Sequence, residues 1–185
     1  MDVFATAVLH RSLSLSLGFC QMIRAENFIC AAPLIRLQVD NLLRFHAAWL
    51  VPKPDEFAMA VVKGKEVRHF KDKAGEKMTD LYLRGKLMAQ YPWINRLYKA
   101  TSGYIHLSSQ HVANAFCVDG ADGEARFTMH IGNRDRLIPD SLRIEASKAM
   151  ITVTQAVLKW VHDWAWTKDN PDALAALKKD AGVGE

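Results

Sequence analysis

Hydrophobic and polar positions along this chain alternate with a period between three and four over most of its length, which predicts helices. Residues 3–23 carry a local period-two run, Ser12-Leu13-Ser14-Leu15-Ser16-Leu17. It has no turn residue before Gly18, so the segment is assigned to a helix rather than a strand. From Glu26 to Leu50 apolar residues face almost every direction, the mark of a buried helix. Pro33 predicts a kink or break near its first turns, and Pro52 ends it. Pro54, Asp55 and Glu56 open a third helix and Gly64 closes it. Residues 65–78 read as a polar, exposed loop. Thr79 caps a helix through Gln90, and Pro92 starts another that runs to Ser102 and stops at Gly103.

The period then changes. Val112 to Val118 is short and apolar, Asp119 to Gly123 is turn chemistry, and Phe127, Met129 and Ile131 alternate with Arg126, Thr128 and His130. This predicts one small β-hairpin over about 111–132. A long helix follows Pro139, with Leu142, Ala146, Ala149, Val153, Val157, Trp160 and Trp164 as its apolar stripe. A short last helix is capped at Asn170. The fold expected is mainly α: a bundle of about six helices with the hairpin inserted before the long C-terminal helix, all in one domain spanning 1–185.

Composition narrows the function classes. The chain has 185 residues, half of them hydrophobic, with formal charge +4. Such a length supports one domain with its own core, and the mild basicity permits an RNA or other phosphate-bearing ligand without demanding one. Three cysteines, Cys20, Cys30 and Cys117, with no CxxC spacing, speak against a disulfide framework and a thiolate zinc site. They read as reduced thiols packed as small hydrophobes, hence a cytoplasmic protein. Asp2 and the serines at 12, 14 and 16 argue against a signal peptide, and the apolar runs fall short of the roughly 18 residues a span needs, so no membrane is expected.

Candidate chemistry lies in two places. Arg36, Asp40 and Arg44 fall at i, i+4, i+8 on one stripe of the buried helix, where charges are costly unless paired or turned to a cleft. They form either an Arg–Asp–Arg network locking helices together or a phosphate or carboxylate site in which Asp40 orients a guanidinium fork. The second place is Thr101 to His111, where a helix gives way to the hairpin. Ser102, Tyr104 and Ser108 bring hydroxyls, while His106 and His111 bring groups that titrate near neutrality. The alternative there is a capping and turn segment. Two guanidinium forks need more acceptors than Asp40 offers, so both places are expected to converge on one concavity. His106, His111 and His130 have no ligand spacing, and neither a P-loop nor a GxSxG elbow is present; no metal and no cofactor are expected. The charges from Lys63 to Lys77 read as a solvated face that could steer RNA.

The segment Ala31-Ala32-Pro33-Leu34-Ile35-Arg36 with Asp40, followed by Ser102-Gly103-Tyr104-Ile105-His106, resembles an uncharacterised family of bacterial helical proteins. Its members pair an A-x-x-L-x-R-x-x-x-[DE] helix with a later S-x-[FY]-[IV]-H segment, a resemblance covering roughly residues 20–140. That family is more distantly similar to HEPN domains, helical bundles that include metal-independent ribonucleases of toxin and phage-defence systems. The resemblance implies a binding or interaction module of such a system. Its alternative is a metal-independent ribonuclease in which His106 moves the proton and Arg36 or Arg44 steadies the phosphorane. The chain lacks the R-x(4–6)-H motif of those nucleases: Arg96 stands too far before His106, and Arg44 too close to His46. Apolar residues off the main stripe of the C-terminal helix, Ile144, Met150, Ile151, Leu158, Val161 and Trp166, imply a two-fold homodimer.

Overall fold

The structure is a computed structural model that describes residues 1–119 and 126–180. Among them are eight α-helices and one two-stranded hairpin, so the mainly α bundle stands with more helices than the six expected. Helix α1 spans Asp2–Arg24, α2 Phe28–Leu50, α3 Pro54–Val62, α4 Asp80–Leu87, α5 Ile94–Ser102, α6 Ser109–Ala115, α7 Asp140–Asp169 and α8 Pro171–Asp180. Strand β1 (Phe116–Asp119) pairs antiparallel with β2 (Arg126–Met129), Phe116 opposite Met129. The turn expected at Asp119 to Gly123 lies largely outside the described residues.

Helix α2 is the axis. Asn27 caps it by accepting from the Cys30 amide at 3.0 Å. It runs unbroken through Pro33, against the break expected there. Proline removes one intrahelical bond near the start, and the surrounding packing holds the helix regardless. Its N-terminal half anchors a core of Phe28, Ala31 and Ile35 against Phe19 of α1, Met150 of α7 and Ile138 just before α7. Its C-terminal half anchors a second core, in which Val39, Leu42, Leu43 and Phe45 meet Phe4, Phe57, Leu83 and Val157. Helix α1 runs antiparallel to α2, with Phe4 against Phe45, and antiparallel to α7, with Trp164 and Lys168 bonding Asp2 at one end and Ser16 meeting Thr154 further along, so α7 lies parallel to α2.

A polar seam joins these three helices inside the bundle. The buried Gln38 amide donates to Ser12 Oγ at 2.5 Å and to Thr154 Oγ1 at 3.0 Å, and Asn41 donates to the Val8 carbonyl at 2.9 Å. Ser12 and Ser16, which made α1 look strand-like, thus serve as helix-to-helix bonds.

Three further expectations need correction. Helix α6 occupies part of the segment assigned to the first strand, because Ser108 and His111 form a capping box that nucleates a helix before the extended run. Cys20 and Cys30 are free but exposed rather than packed. Helix α1 does meet the length and composition of a membrane span, with a mean hydropathy of 1.3 over its best 18-residue window. Interspersed serines lower the mean hydropathy too little to disqualify it. In this fold a third of that window is buried, and Phe4, Val8 and Phe19 face the core.

Candidate functional site

The charged stripe of α2 finds its partner in a residue that sequence reasoning passed over. Thr79 caps α4, accepting from the Tyr82 amide, and so fixes Asp80 at the first helical position. Asp80 there receives Arg44 at 2.7 Å, Arg36 at 3.1 Å and the Tyr98 hydroxyl at 2.8 Å. Arg44 also reaches Asp40 at 3.0 Å, and Arg11 of α1 reaches the other oxygen of Asp40 at 3.3 Å. The chain of charges runs Arg11–Asp40–Arg44–Asp80–Arg36 and ties α1, α2 and α4 together. Arg36 pairs with Asp80 and not with Asp40, four residues away on its own helix. The Tyr98 ring lies between two guanidinium groups, Arg36 at 3.8 Å and Arg84 at 4.0 Å from its centre.

Burial pushes the Asp80 carboxyl up, but the Tyr98 hydroxyl and then Arg44 and Arg36 outweigh it and hold its pKa below the ordinary value. Asp80 is therefore charged at neutral pH. Three arginines share two carboxylates, which leaves one positive charge uncompensated in the network.

Thr101 to His111 is built as a turn and cap. Ser102 Oγ donates to the Tyr98 carbonyl at 2.6 Å, and Ser108 Oγ donates to the Gly103 carbonyl at 2.8 Å. Tyr104 packs edge-on against Phe28 and His111, and the His111 Nδ1 accepts from the Ser108 amide. His106 stands exposed on the turn. The serine hydroxyls expected to serve the arginines are spent on backbone; Asp80 and Tyr98 take their place. His130 Nε2 is likewise bonded to the Arg134 carbonyl at 2.8 Å, and no group of three metal-ligating side chains gathers among the described residues.

The concavity lies on the other side of Arg44. A cavity of about 600 Å³ opens between α1, α2, the end of α3, the segment at 65–68 and the start of α4. Arg11, Arg44, Lys65 and Arg68 line it, against two carboxylates, Glu66 and Asp80. Arg68 is paired with Glu66, whereas Lys65 has no carboxylate in ion-pair reach among the described residues. Arg44 Nη1 is buried and has no hydrogen-bond partner, an expensive state for a charged donor unless something fills the space beside it. Gly64, at φ +94°, makes the turn into Lys65, whose ammonium stands 4.3 Å from the centre of the Phe70 ring. Of the predicted site, only Arg44 lines this cavity. Arg11, Asp80, Lys65 and Arg68 were missed as a set because no spacing in the chain links them.

No protein family, curated protein or solved structure matches this chain.

Proposed function

We propose that the protein is a non-catalytic binding module that captures a phosphate-bearing ligand in the cavity beside Arg44. The observation that carries this reading is the excess of cations over carboxylates around one concavity, with a buried guanidinium donor left unpartnered in its wall. The distant HEPN resemblance accords with a role in a phage-defence or toxin–antitoxin setting. Differential scanning fluorimetry in EDTA tests the module: millimolar phosphate raises the melting temperature of the parent, and the rise disappears in Lys65→Gln and Arg68→Gln, two variants with little packing to lose. Absence of any rise in the parent defeats the reading. RNA incubated with the protein in EDTA stays intact; cleavage abolished by His106→Ala would make the chain the ribonuclease of the alternative reading instead.

The same reading takes the working form to be a two-fold homodimer. Ile144, Ile151 and Leu158 are each about half exposed and fall at i, i+7, i+14 on α7, and Ile151 lines a groove of about 350 Å³ against Phe19 and Ile23 of α1. An antiparallel second copy sets Ile151 on Ile151 and Ile144 on Leu158, so the seam is self-complementary. Met150 drops out of this surface, because it is buried in the core.

A further inference from the structure

Resting on the binding reading above, we infer that the cavity's ligand is a small organic phosphate monoester carrying an apolar ring, and not a nucleic-acid strand. The argument comes from the polarity of the cavity along α1. Phe4, Ala7, Val8 and Arg11 line it at i, i+3, i+4, i+7, a single helical face covering about 10 Å. The N-terminal end of that face is apolar: Ala7 is exposed there and Val61 continues it, with the core residues Phe4, Val8 and Val67 behind them. The far end is basic: Arg11 meets Asp40, which meets Arg44. A molecule spanning the cavity thus needs an acidic head at one end and an apolar body at the other, within about 10 Å.

The charge count selects the head. Four cations and two carboxylates in the lining leave a surplus of two positive charges. A phosphate monoester carries about −1.5 to −2 at neutral pH, whereas a carboxylate carries −1 and would leave the site undercompensated. Arg44, held by Asp40 and Asp80, and Arg11, held by Asp40, supply guanidinium groups at this end. The volume, about 600 Å³, is that of a site for one small molecule. A polynucleotide, in contrast, is held by an open basic track with exposed aromatic faces for its bases. Here the only aromatic side chain in the lining, Phe4, is 7% exposed.

Isothermal titration calorimetry of the full chain with phenyl phosphate, inorganic phosphate and a ten-nucleotide single-stranded RNA tests this. Phenyl phosphate is expected to bind roughly tenfold tighter than inorganic phosphate, the gain from burying one ring. Ala7→Phe, a substitution at an exposed helical position that fills the apolar end, removes that gain. Arg68→Gln weakens both phosphates. Equal affinity for the two phosphates, or a phenyl phosphate affinity that ignores Ala7→Phe, overturns the inference while the anion site stands. RNA binding tighter than phenyl phosphate overturns it in the same way. If none of the three ligands binds, the binding reading itself falls, and this inference with it.

Discussion

Asp80 and His46 respond to acid in adjoining windows, and each reports a different environment. Asp80 is half-buried and holds two arginines and a tyrosine hydroxyl. Asp80→Asn keeps the shape, removes the charge and leaves Arg36 and Arg44 without their shared acceptor. It is expected to cost about 2 kcal/mol, below the range for fully buried pairs because solvent reaches this one. Urea unfolding at pH 7 measures it, and no change would mean that the network adds nothing to stability. Because the folded pKa of Asp80 is depressed, its contribution is present above pH 4 and is lost as the pH falls lower. His46 titrates in a higher window. Both of its ring nitrogens are buried without partners, and the ring packs edge-on against Trp160 at 4.8 Å. Burial, with a smaller push from Lys86, lowers its pKa from 6.5 to about 4. The unfolded chain therefore takes up a proton that the folded chain refuses, and stability falls between pH 6.5 and pH 4. The loss is about 3 kcal/mol in that window. His46→Phe removes the titration, so the stability difference between parent and variant should change by that amount between pH 7 and pH 4. Parallel pH profiles would refute the assignment.

At the scale of elements, short helices at the site depend on local devices. Helix α4 has eight residues, too few to persist alone, and it delivers Asp80 from its first turn. Thr79→Ala removes its cap and should cost about 1 kcal/mol, read as a lower midpoint in denaturant. Gly64 has open space around it but a left-handed backbone, so Gly64→Ala strains the turn by about 1 kcal/mol without any clash. That variant should also weaken phosphate binding, because the turn aims Lys65. These signals were readable in advance: Thr79, Pro54, Gly64, Pro139 and Asn170 all mark ends that the structure places within a residue or two of expectation. The capping box at Ser108 was not read, because its third position is His111 in place of the usual glutamate or glutamine, and β-branched Val112 suggested a strand.

On the whole-molecule scale, the bundle turns a basic cavity to one side of α1 and an apolar seam to the other. Leu13 and Leu17 are about 60% exposed, and with Ile144, Ile151 and Leu158 they form a larger apolar surface than isolated helix positions would leave. Multi-angle light scattering at tens of micromolar is expected to give twice the chain mass, and Ile151→Glu a single chain mass with unchanged helicity. A parent that runs as a monomer removes the dimer.

Periodicity and punctuation in the sequence determined the helices other than α6, because hydrophobic faces and helix ends depend on residues three or four apart. They also determined that Arg36, Asp40 and Arg44 share a stripe that needs partners. Tertiary structure alone decided what those partners are. Asp80 lies 36 positions beyond Arg44 and Arg11 lies 33 before it, and no local rule connects them. The antiparallel packing of α1 on α2, with α4 capped beneath, brings them within 3.3 Å of their counterparts. Sequence periodicity says which side of a helix is buried. It does not say which charged residue on a distant helix will face that side, since this depends on how the helices pack.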